Sequence, residues 1–213
     1  MVSKTEIIKL LHKYFSFHDV KVLPNGQVEA YGDISLLNRF DNEVTTLPVS
    51  FKLVKESLSL EDNLLVSLKG CPVDVGMTFD CSRNNLESLE YGPQTVGWNY
   101  YCNHNQLGNL KGAPALIPNN FNCMGNPLKS LEGFPTKIGN ATWITYSEKL
   151  PLLRTLAATF VFLELGDSQD PEYGNKLNQV QKILAQYQGK GKRAMFDCQK
   201  ALEDAGFEEN ARW

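Results

Sequence analysis

Three cysteines are evenly spaced: Cys81, Cys102 and Cys123 stand 21 residues apart. Thiols at a fixed interval could ligate a metal, cycle between redox states or simply pack. Zinc sites gather ligands in pairs such as C-x2-C around a tetrahedral centre, and no such pair occurs in this chain. The total of five cysteines is odd, which favours reduced thiols over a disulfide framework. Neither a metal nor a cofactor is expected. His12, His18 and His104 are paired with no nucleophile by any motif, and G-x-S-x-G, P-loop and H-E-x-x-H patterns are absent. The residues therefore point away from an enzyme, and none is assigned a catalytic role.

What the thiols share is a register. Asn63, Asn84, Asn105 and Asn126 keep the same interval, as do Leu65, Leu86, Leu107 and Leu128. Leu68, Leu89, Leu110 and Leu131 follow, and Pro72, Pro93, Pro114 and Pro135 keep step. An apolar or aromatic residue sits two before each Cys: Phe79, Tyr100 and Phe121. Such columns mark a solenoid. Each unit reads apolar-x-(Cys/Leu)-x-x-Asn-x-Leu-x-x-Leu, which resembles a leucine-rich repeat of about 21 residues. The alternating pair forms the inward side of a short parallel strand. The Asn amide satisfies backbone groups that the turn leaves unpaired, and Pro closes the convex side, where an extended segment needs no ladder N–H. A more degenerate unit precedes, with Ile34 and Leu36 as its strand pair, then Asn42, Val44, Leu47 and Pro48. About five turns are expected over residues 32–147. The cysteines become buried filler.

The flanks look like caps. Ser3 with Glu6 is a capping-box pattern, and Ile7, Leu10, Leu11 and Tyr14 share one helical face. Val20 and Val22, Pro-Asn-Gly, then Val28 and Ala30 read as a hairpin, completing an N-terminal cap over residues 1–31. Beyond residue 147 the composition turns helical. Leu152, Leu156, Phe160 and Leu163 form one stripe; Tyr173, Leu177, Val180, Leu184 and Tyr187 a second; Met195, Cys198, Leu202 and Ala205 a third. A three-helix unit over residues 148–213 follows. The fold class is thus α+β: a repeat solenoid with a helix–hairpin cap and a helical C-terminal unit.

Net charge is −3 and the pI about 5.7, so the totals announce neither nucleic acid nor an anionic membrane. No run reaches the roughly 18 apolar residues of a membrane span. The N-terminal segment, interrupted by Lys9, His12 and Lys13, makes a poor secretory signal. A cytoplasmic protein is expected.

The layout also resembles proteins encoded by T4-like tailed bacteriophages. Gly32-Asp33-Ile34 with Leu36 matches that family's opening, and Thr45-Thr46-Leu47-Pro48 its next segment. Phe79 to Pro93 is close to the repeat F-x-C-x-x-N-x-L-x-S-L-x-G-x-P, with Tyr91 where Gly is usual and Gly92 one later. The closing Asn210-Ala211-Arg212-Trp213 is similar too. The resemblance implies this architecture and a setting in the cytoplasm of an infected bacterium. Some bacterial effectors of the same repeat class carry a helical ubiquitin-ligase domain with a catalytic Cys, but Cys198 here falls on an apolar stripe.

Function is then expected on the outward side of the strands. Alternation places Asp80, Ser82 and Arg83 there, then Asn99, Tyr101, Asn103 and His104. Asn120, Asn122 and Met124 continue the face, and Trp143, Thr145 and Tyr146 end it. Aromatic, Met, Arg and Asn side chains on a rigid surface suit protein recognition. Trp143 is the residue that C-terminal helices would most readily cover, while Trp98 precedes its strand and points elsewhere. The expected role is a non-enzymatic module engaging a host or phage protein, with inhibition of a host process or defence system as the consequence. Self-assembly, in which Trp213 docks on its own domain or a second copy, is the alternative. Weak nucleic-acid binding through Lys190, Lys192 and Arg193 is a further one.

Overall fold

The computed structural model describes residues 2–38, 44–166 and 169–213. Helix α1 (Lys4–Tyr14) leads into strands β1 (Phe15–Phe17), β2 (Val20–Val22), β3 (Val28–Ala30) and β4 (Ile34–Leu36). The repeats then supply β5 (Phe51–Val54), β6 (Leu58–Ser59), β7 (Asp74–Val75), β8 (Phe79–Asp80) and β9 (Thr95–Val96). They continue with β10 (Tyr100–Tyr101), β11 (Leu116–Ile117), β12 (Phe121–Asn122), β13 (Lys137–Ile138) and β14 (Ala141–Thr145). After a 3-10 turn (Leu152–Ala157) come β15 (Phe160–Glu164), α2 (Pro171–Tyr187) and α3 (Lys192–Asp204).

The result is a β-solenoid of about six turns. Its first sheet has eight strands in the order β1-β4-β6-β8-β10-β12-β14-β15, all pairs from β4 to β15 being parallel. Tyr100 pairs with Phe79 and Phe121, so equivalent residues stack turn on turn. Phe79, Cys81, Leu86 and Leu89 and their equivalents are buried, except Leu128, which is partly exposed. Each buried Leu contributes roughly 1.5–3 kcal/mol.

The asparagine column locks adjacent turns together. The Asn84 side-chain oxygen accepts the N–H of Leu65 at 2.9 Å, and that of Asn126 accepts the N–H of Leu107 at 3.1 Å. The amide groups of Asn84, Asn105 and Asn126 donate to carbonyls of their own turn and of the turn before, as Asn84 does to Cys81 and Leu60. Asn42, expected to begin this column, lies outside the described residues. The thiols form a second column: Cys81, Cys102 and Cys123 donate to the carbonyls of Tyr101, Asn122 and Trp143 at 3.4–3.5 Å. Burial pushes all three thiols up from their ordinary pKa.

The convex side is not a bare extended segment, as its prolines suggest, but a second set of parallel strands. β2-β3-β5-β7-β9 form one sheet and β11-β13 another. The prolines lie just before these strands, outside the ladder. The break has a covalent cause. Gly76, Gly97 and Gly139 donate their N–H to Val54, Val75 and Ile117 at 2.9–3.0 Å. Position 118 in this column is Pro, which has no N–H to offer Val96.

The N-terminal helix forms with Ser3 accepting the N–H of Glu6 at 3.2 Å. β2 and β3 make the expected antiparallel hairpin, but β3 also pairs with β5, so the hairpin belongs to the second sheet.

The C-terminal unit departs from three helices. Phe160 is 50% exposed, so the stripe Leu152-Leu156-Phe160-Leu163 is not a helical face. The aromatic and β-branched run Phe160-Val161-Phe162 extends instead and pairs with β14 over five residues. The solenoid therefore continues past residue 147. Helix α2 covers the open edge of β15: the Gln181 side chain accepts the N–H of Leu163 and donates to the carbonyl of Val161, both at 2.7 Å. The tail closes the same end, where the buried Asn210 amide donates to Ser147 and Leu150 at 2.9 and 2.8 Å.

Candidate protein-binding face

The outward column of the first sheet runs Ser35, Ser59, Asp80, Tyr101, Asn122, Trp143 and Phe162, as the strand registers dictate. It is polar at the N-terminal end and aromatic at the other. Trp143 and Phe162 stack with ring centroids 5.3 Å apart and planes 18° from parallel. Trp143 stays half-exposed. Phe162 is 45% exposed, and Phe160, next but one on β15, enlarges the apolar end. Tyr101 and Asn122 are half-exposed on the two strands before. Trp98 is exposed outside this column, at the corner beside Met77, whose carbonyl accepts the Trp98 N–H at 3.0 Å.

Beside Thr145 and Glu164, at the strand ends, the surface opens into a groove of about 600 Å3. His104, Gln106, Met124, Thr145 and Glu164 line one side and Tyr173 of α2 the other. The His104 ring rests on Gly125, where a Cβ would come within 2.4 Å of Nδ1. Gly125 also has φ +64 and donates its N–H to Thr145 Oγ1 at 2.7 Å. This turn position is left-handed throughout: Asp62, Arg83 and His104 have φ of 56, 54 and 53. Arg83 and His104 consequently sit on the rim, and Arg83 approaches Glu61 at 3.8 Å. Burial, and then Asp80, raise the pKa of Glu61, while Arg83 opposes them.

Two of the expected face residues are corrected. Ser82 is buried because its N–H and hydroxyl both donate to Asp80 Oδ1, at 2.9 and 2.6 Å. Tyr146 is buried too. Where earlier turns go left-handed Tyr146 does not, although its N–H donates to the next turn, to Glu164 at 2.7 Å, as theirs do. Alternation then turns its ring inward, 5.1 Å from Tyr173, and burial pushes its hydroxyl up to about 12. Asn99 and Asn120 are on the rim but occupied. Asn119 and Asn140 donate to them at 2.9 Å, so they brace the turns. Asn122 accepts the N–H of Met124 at 3.1 Å, and its amide donors remain free of described partners. Asn103 lies half-exposed between Tyr101 and His104.

Phe160, Phe162 and Glu164 are members of the face that the 21-residue spacing misses. The step from Trp143 to Phe162 is 19 residues, so the columns lose register there. The run Phe160-Val161-Phe162 was the available signal. Cys198 is fully buried, and burial pushes its thiol up to about 11, which disfavours a thiolate. Among the described residues no cluster of three or more His, Cys, Asp or Glu side chains could hold a metal ion, and no helix is long and apolar enough to cross a membrane. No protein-family model, curated protein or solved structure matches the chain.

Proposed function

We propose that the chain is a non-catalytic module of leucine-rich repeats that binds a protein partner on the C-terminal half of its first sheet. The observation that carries this reading is the Trp143–Phe162 stack, partly exposed to solvent at the end of a parallel sheet. A buried pair of this kind would be ordinary core. Held flat at the surface, it offers apolar area with little rotamer entropy to lose on binding. Tyr101, Asn122, Met124 and Glu164 surround it with polar and adaptable groups, the composition of a recognition patch with a polar rim. With the resemblance to phage-encoded proteins, the partner is a host or phage protein met inside an infected bacterium, and its inhibition is the expected consequence.

Affinity capture from bacterial lysate at moderate and high salt tests the reading. One stoichiometric protein that survives high salt supports it. Capture of nucleic acid alone, lost as salt rises, overturns it.

A further inference from the structure

A second recess lies away from the sheet face, between the last regular repeat and the C-terminal helices, with a volume of about 460 Å3. That is within the range of small-ligand sites, about 300–1,000 Å3. It is lined by Phe134 and Pro135 of the repeat, Leu156 and Ala157 of the 3-10 turn, Met195 of α3 and Trp213 of the tail. The lining is mostly apolar, and it carries one charged side chain, the guanidinium of Arg154. No Asp or Glu side chain lines the recess, and Arg154 makes no ion pair or side-chain hydrogen bond with any described residue. Lys190 and Arg193, both exposed, flank the lining residue Gly191 and add to the positive field.

We propose that this cleft binds a small apolar carboxylate, its hydrocarbon or aromatic body between Phe134 and Met195 and its carboxylate on Arg154. An unpaired guanidinium beside apolar walls is matched in charge and in shape by a carboxylate, which accepts two parallel N–H bonds from it. A neutral ligand would fill the cleft and leave that fork unused. The walls can adjust. The Trp213 ring is held by Phe196, 6.0 Å away, and by one hydrogen bond from its Nε1–H to Gln199 at 3.2 Å. Met195 fills irregular space readily. The site is independent of the sheet face, so either can fail without the other.

The test is a titration of the full chain with 1-naphthoate and with decanoate, read from the methyl NMR signal of Met195 and assigned with Met195→Leu. Their neutral counterparts, 1-naphthalenemethanol and decanol, run in parallel. A saturable shift of the Met195 signal is expected, with at least one carboxylate binding about 10-fold or more tightly than its alcohol, the scale of charge-assisted hydrogen bonds. Arg154→Gln, at an exposed position, should leave the circular dichroism and Tm unchanged and abolish that preference while the alcohol binds as before. No shift at Met195 with either carboxylate, or a preference that survives Arg154→Gln, overturns the proposal.

Discussion

The side-chain oxygen of Asn105 accepts the backbone N–H of Leu86, a residue of the preceding turn, at 3.0 Å. Its amide group donates to the carbonyls of Cys81 at 3.0 Å and Cys102 at 3.2 Å. One buried side chain thus satisfies backbone groups that neither strand ladder reaches. Asn105→Ala leaves the buried Leu86 N–H without its partner, while the Cys81 and Cys102 carbonyls keep the amides of Asn84 and Asn126. A loss of about 1–3 kcal/mol is expected, the cost of one orphaned buried group. The neighbouring exposed Asn85→Ala should stay within about 0.5 kcal/mol. Urea titration of both variants checks the contrast.

A second column concerns backbone handedness. Gly70, Tyr91, Gly112 and Gly133 occupy equivalent positions with φ of 104, 67, 94 and 83. Tyr91 is 65% exposed, so its ring adds little packing to offset a left-handed backbone. Tyr91→Gly should stabilise the protein by about 1 kcal/mol. At Gly133 a Cβ would lie 2.3 Å from the Leu110 carbonyl oxygen. Gly133→Ala should therefore lower Tm by several degrees, whereas Gly189→Ala, in open space at φ +69, should cost only its backbone strain. Thermal melts of the three variants decide this.

The buried thiols give a pH dependence with a defined sign. Burial raises their folded pKa above the ordinary value of 9.0, for Cys198 to about 11. Between those values the unfolded chain has lost a proton that the folded chain keeps. Stability is fully present below pH 9 and falls as pH rises, by up to about 1.4 kcal/mol per pH unit for each such thiol. Tm measured from pH 8 to 11 should decline, and Cys198→Ala should remove part of the slope. A flat profile would contradict the burial of these groups.

Gln181 stands in for a strand at the open edge of β15. Sheet edges of this kind recruit other chains unless covered. Gln181→Ala should speed amide exchange at Leu163 and produce concentration-dependent association in light scattering. Gln188→Ala, which removes only a 3.4 Å bond to Val161, should do neither.

The inward register was legible because buried positions tolerate few residue types: Leu65, Cys81 and Asn105 can be read directly at 21-residue spacing. The second sheet was not. Beyond the β2–β3 hairpin, its strands β7, β9, β11 and β13 are two residues long, and only Val75, Val96, Ile117 and Ile138 mark them. The left-handed column was hidden because Asp62, Arg83, His104 and Gly125 share no chemistry, only a backbone angle. Phe160 and Phe162 were concealed by a 19-residue step, and Tyr146 was misplaced because alternation cannot show where a strand outlasts its predecessors. The face could be read from the sequence as far as Trp143, and its continuation on β15 could not.

The central claim is that this apolar end carries binding. The direct measurement compares three baits in one lysate capture: wild type, Trp143→Ala with Phe162→Ala, and Trp98→Ala. Aromatic anchors at the centre of an interface cost about 2 kcal/mol or more on truncation. The double variant should retain less than about a tenth of the partner, and Trp98→Ala should retain all of it. Equal recovery by all three baits, with fold intact, would contradict the account.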